Sequence, residues 1–170
     1  MGLLSVDRRD SEYRERAFWS SVMIRAPLYG ADTPQSFFDE DLPFGWNLRD
    51  LGDLLKTHVV PKIPGVTHPM TYFGMWKAFF AWHLEDADLF SINYLHFGQP
   101  KVWYCVSPSD KEKFEQMAQS IFPDLQRECK AFMRHKDILL SPYVLRSYNI
   151  PYTQVWHLRV VVECMFVRCF

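Results

Sequence analysis

Two strand-like runs, residues 91–97 and 101–106, flank Gly98-Gln99-Pro100, and this arrangement constrains the fold more than any other feature of the chain. Three loop residues containing glycine between two such runs predict a β-hairpin. Side chains alternate along a strand, so positions of equal parity share a face. Asn93, Leu95, Phe97, Lys101, Trp103 and Cys105 are therefore expected on one side of the pair. Just upstream, residues 70–82 are almost unbroken in apolar and aromatic character, as expected of strands buried on both faces.

Shorter signals fill in the rest. Val22-Met23-Ile24 reads as a strand ended by Pro27, and Tyr29-Gly30-Ala31-Asp32 as a turn. Leu51, Leu54 and Leu55 share one face of a helix over residues 50–55, broken by Pro61 and Pro64, with Gly65 opening a new segment. Ser109 with Glu112 forms a capping box ahead of Phe114, Met117 and Ile121 at helical spacing. Ser141-Pro142 starts a shorter helix ending near Asn149. Residues 1–17 are a polar lead-in with helical character near 12–16. The expected class is mainly β with inserted helices (α+β).

Composition narrows the function. Of 170 residues, 48% are hydrophobic and 16% aromatic, too many for a disordered chain. No apolar run is long enough for a membrane span, and no secretory leader opens the chain. Met1-Gly2 resembles a myristoylation start, but Val6 stands where a hydroxyl residue is required. A net charge of -1 argues against direct sequence-specific nucleic-acid binding. Four scattered cysteines fit a reducing compartment.

Within Trp82-His83-Leu84-Glu85-Asp86, an imidazole and a carboxylate two positions apart converge on one point of a strand. Such a pair plus a distant histidine forms the facial triad of non-haem iron oxygenases. The signal is weak alone: His135-Lys136-Asp137 has the same spacing, and a hydrogen-bonded structural histidine is the blander explanation. Lys101 adds a second point. Set among Phe97, Trp103 and Tyr104, its ammonium needs a partner if buried, and a dicarboxylate would serve; a lysine reaching water needs none.

Longer strings carry a resemblance. Tyr72-Phe73-Gly74-Met75-Trp76-Lys77, Phe80-Ala81-Trp82-His83-Leu84-Glu85-Asp86 and the stretch from Ser91 to Lys101 are similar to the JmjC histone lysine demethylases. The similar subgroup carries a JmjN segment and acts on trimethylated histone H3. Further similarity lies in Ala26-Pro27-Leu28-Tyr29-Gly30-Ala31-Asp32, in residues 129–135 and in residues 141–151, so that it spans 18–154. The resemblance implies a partial double-stranded β-helix, the cupin jelly roll, and oxidative demethylation dependent on Fe(II) and 2-oxoglutarate. It implies His83 and Glu85 as iron ligands, and Tyr29, Asn93 and Lys101 as holders of 2-oxoglutarate. Tyr72 and Gly65 would line the methyl-lysine pocket, with Asp32 and Asp86 against the histone tail. Asp39, Glu40, Asp41 and Asp88 add acidity suited to a basic peptide. Cys129 and His135 match half of a structural zinc site. Nuclear localisation and chromatin as partner follow from the same resemblance.

Residues 155–170 depart from the family pattern. His157 falls too early to be the distal iron ligand, no histidine follows it, and Cys164 and Cys169 lack the family's zinc spacing. Val160-Val161-Val162 is nonetheless strongly β-prone. The expectation is a catalytic domain incomplete within these residues and of little activity. A histone-tail binder without turnover and a JmjC protein hydroxylase are the alternatives; Tyr72 and Gly65 count against the latter.

Overall fold

The computed structural model describes residues 8–38, 47–58 and 63–158. The acidic residues 39–41, Pro61, Val160-Val161-Val162, Cys164 and Cys169 lie outside them. The chain divides into two units, Met1–Phe79 and Phe80–Phe170.

The first unit begins with α1 (Arg8–Ser21). Residues 22–24, expected as a strand, instead close this helix: Val22 N–H donates to Phe18 O at 2.8 Å and Ile24 N–H to Ser21 O at 3.1 Å. A helix already under way outweighs the β preference of three residues, since each added residue gains a hydrogen bond. The predicted turn at 29–32 is strand β1 (Tyr29–Thr33), antiparallel to β2 (Thr71–Gly74). Between them α2 (Leu54–His58) starts at Asp53, whose Oδ1 accepts the Lys56 N–H at 2.8 Å. That helix lies later than expected, because the Asp53 carboxylate supplies the cap that residue 50 does not. The aromatic run after β2 is not a doubly buried strand. Gly74 ends the pairing, Lys77 turns the backbone at φ 72°, and Met75 and Trp76 remain about half exposed.

In the second unit β3 (Lys101–Cys105) pairs antiparallel with β4 (Thr153–His157), Lys101 opposite His157 and Cys105 opposite Thr153. The predicted hairpin is absent, residues 91–96 having no regular secondary structure. Local patterning marked β3 as a strand but could not name its partner, which arrives only after the inserted helices. These are α3 (Lys111–Ile121), α4 (Pro123–Glu128) and α5 (Pro142–Ser147). Ser109 does not cap α3; a 3₁₀ turn, Pro108–Asp110, leads into it and is itself capped by Ser107. The Ser141 cap on α5 forms as expected, with Ser141 Oγ accepting the Val144 N–H at 3.4 Å and Pro142 in the first turn. Phe114, Met117 and Ala118 of α3 pack with Trp82, Val106, Phe132, Met133, Ile138, Leu140, Leu145 and Ile150 into one apolar core.

Candidate functional site

His83 and Glu85 meet, though not by strand alternation: residues 81–85 form no strand. The segment is tied to the core instead. Trp82 N–H donates to Ile138 O and its indole Nε1–H to Leu140 O, both at 2.9 Å. The next side chain is thereby aimed. His83 Nδ1 lies 2.7 Å from Ala81 O, and because a carbonyl can only accept, Nδ1 carries the proton. Nε2 is left 3.8 Å from Glu85 Oε1. Both groups are half-buried. The Glu85 carboxylate raises the imidazole above its usual pKa against the opposing effect of burial. The imidazole in turn lowers Glu85, with Ser91 helping.

This pair fits a divalent metal. First-row metals hold nitrogen and oxygen ligands at about 2.0–2.2 Å, so two donors on one ion stand about 3–4 Å apart. The protonated Nδ1 bound to a carbonyl also gives the orientation that metal-bound histidines adopt. Among the described residues no third His, Cys, Asp or Glu joins the pair.

Lys101 opens β3, and its ammonium lies 5.0 Å from the Phe80 ring centroid and 5.6 Å from that of Trp103. These two rings stack at 6.3 Å and 20°. Burial pushes the lysine below its ordinary pKa, and among the described residues no carboxylate pairs with it. Phe80 also sits edge-on to His83 at 6.4 Å, so one ring neighbours both the imidazole and the lysine. Phe80 escaped the sequence reading, which placed Lys101 among Phe97, Trp103 and Tyr104. Asn93 is half-buried in the segment without regular structure, so the hairpin argument for its place beside Lys101 does not apply.

The first unit holds a second group. The Tyr29 and Tyr72 rings lie 6.1 Å apart at 43°, and Tyr72 Oη donates to Asp32 Oδ1 at 2.8 Å. Burial, then the neighbouring Tyr72 and Asp32, push the Tyr29 hydroxyl well above its usual pKa. Gly65 has φ +77°, and a Cβ there would stand 3.1 Å from Met70 Sδ, so a side chain at this point would be strained and crowded.

The remaining candidates are peripheral. Asp86 Oδ2 accepts from Lys136 Nζ at 3.3 Å, and Asp88 pairs with Arg134 at 3.8 Å. Half-buried Cys129 ends α4 as a free thiol, and His135 ends the 3₁₀ turn Phe132–His135, exposed.

The family profile described as "JmjC domain, hydroxylase" matches residues 70–158. Lysine-specific demethylase 4D of Rattus norvegicus is 47% identical over 149 residues, covering 86% of this chain and 29% of the relative. Lysine-specific demethylase 4B of Mus musculus is 43% identical over 150 residues, covering 86% of this chain and 14% of the relative. The chain thus spans less than a third of either relative's length.

Proposed function

The chain belongs to the JmjC domain family, whose fold is the cupin jelly roll, and on that premise we propose that it is part of the catalytic core of an Fe(II)- and 2-oxoglutarate-dependent oxygenase that demethylates lysine on the histone H3 tail. The observation that carries this reading is the His83–Glu85 pair, with Nδ1 held by a carbonyl and Nε2 and Oε1 3.8 Å apart. Iron with 2-oxoglutarate, when bound, supplies the oxidising chemistry for an N-methyl group. His83 offers the Nε2 lone pair and Glu85 a carboxylate to hold the metal.

Lys101 offers a half-buried cation set over the Phe80 and Trp103 rings, which favours a carboxylate of the cosubstrate. From the family resemblance alone, Tyr29 and Asn93 are proposed to add hydrogen bonds to it. Tyr72 and the Gly65 backbone form walls for a methylammonium, whose diffuse charge suits an aromatic face. Asp86 suits the basic tail, and chromatin as partner and a nuclear location go with the same reading. Cys129 and His135 belong, on the same reading, to a partial zinc site.

Anaerobic Fe(II) titration followed by calorimetry tests the metal assignment. His83→Ala weakens binding by at least about a hundredfold, the loss expected when a ligand rather than its support is removed; unchanged binding would overturn the assignment. Formaldehyde release from a trimethyl-lysine histone H3 peptide tests the activity. Peptide binding without formaldehyde would leave a histone-tail binder.

A further inference from the structure

We propose that Asp32 is a positioning residue, whose carboxylate fixes the Tyr72 ring by accepting its hydroxyl, and that an irregularity in β1 exists to bring it there. This deepens the function proposed above, because it rests on Tyr72 walling the methyl-lysine pocket. The register carries the argument. Gly30 pairs with Phe73 and Thr33 with Thr71, so three steps along β1 answer two along β2. One extra residue is thus accommodated opposite Tyr72, which defines a β-bulge. Asp32 takes the strain, with φ 55° in the left-handed region that Asp and Asn tolerate better than other residues with a Cβ.

In a regular strand, Tyr29 and Asp32 would point to opposite faces, being an odd number of positions apart. The bulge cancels that offset. Asp32 Oδ1 reaches Tyr72 Oη at 2.8 Å, while the Tyr72 ring lies 6.1 Å from that of Tyr29. A tyrosine ring at a pocket rim has two rotatable bonds, and a charge-assisted hydrogen bond at its tip restrains both. Asp32 thereby acts on a bound methylammonium through the ring, and direct contact with a basic peptide is the competing role.

The two roles separate on substitution. In the chain labelled with 3-fluorotyrosine, the Tyr72 fluorine resonance is assigned by its loss in Tyr72→Phe. Asp32→Ala shifts and broadens it, whereas Asp32→Asn, whose amide oxygen still accepts, leaves it nearly in place. A Tyr72 resonance unmoved by Asp32→Ala overturns the proposal. Binding of a trimethyl-lysine histone H3 peptide, read by fluorescence anisotropy, provides the second arm. Asp32→Ala and Tyr72→Phe each weaken it about three- to tenfold, the range for one hydrogen bond. Their combination weakens it no further, and Asp32→Asn retains most of the affinity. Additive losses, or Asn behaving as Ala, indicate charge contact with the peptide and likewise overturn it. If wild type binds no peptide while the fluorine results hold, the positioning role stands and the functional reading fails.

Discussion

The two units differ in what holds them. Phe80–Phe170 closes an apolar core in which Phe114, Val106 and Leu145 are wholly buried. Among the described residues of Met1–Phe79, only Val22, Phe38 and Thr67 are buried, while Met23, Ile24 and Leu28 stand about four-fifths exposed. Edge-to-face contacts of Phe18 with Trp76 and Phe79, and the short β1–β2 ladder, do the holding there. The division matches the proposed chemistry. A metal pair must be placed within a fraction of an ångström, which suits a segment pinned to a core. A pocket for a peptide tolerates a softer frame and a strained, bulged strand.

Paired core truncations test that contrast most strongly. Phe114→Ala costs about 3–5 kcal/mol, because the neighbours cannot collapse into the space. Val22→Ala in the first unit costs roughly 1–2 kcal/mol. Urea denaturation of both variants checks this, and equal losses would break the comparison.

Next in size is an effect of opposite sign. Lys101→Met stabilises the fold by about 1–2 kcal/mol, since an apolar chain replaces a partly desolvated cation, while the 2-oxoglutarate binding proposed above is lost. The pH dependence follows from the lowered pKa. Between its folded value and that of an ordinary lysine, the unfolded chain binds more protons. The wild type therefore gains stability as pH rises through that window, and Lys101→Met removes the gain. Urea midpoints across the alkaline range, in both proteins, report it.

The smallest effects concern single helices. Ser141→Ala removes a cap and costs about 1 kcal/mol. Asp10→Ala breaks the exposed 2.8 Å pair with Arg14 on α1 and costs about 0.3–0.5 kcal/mol. Differential scanning calorimetry ranks the two, and a larger loss for Asp10→Ala would mean that α1 depends on more than its own surface.

Features set by neighbouring residues were legible in the sequence. The Ser141-Pro142 start and the Phe114–Met117 spacing depend on one or two helical turns, and both formed. Those depending on distant partners were not. β3 was recognisable, but β4 lies beyond three helices. Residues 29–32 read as a turn because Gly30 and Asp32 are turn residues; the bulge uses the conformational freedom of Asp32 within a strand. Spacing marks His83 and Glu85 only weakly and the family resemblance supplies their expected role; their approach comes from the Trp82 anchors rather than from strand parity. Phe80 opens one of the strings that carry the resemblance, but one aromatic among many does not announce which lysine it covers.

Those Trp82 anchors have a kinetic consequence. The bond from its indole to Leu140 spans 58 positions of sequence, and such closures form late because loop entropy must be overcome first. During synthesis at about 5–20 residues per second, His83 and Glu85 leave the ribosome several seconds before their support exists. Until then they are one loosely placed imidazole and one carboxylate among many, with no advantage for the metal proposed above. On the function proposed above, selective metallation waits until the core has assembled, and the order of events is written into the distance between a tryptophan and the carbonyls that receive it.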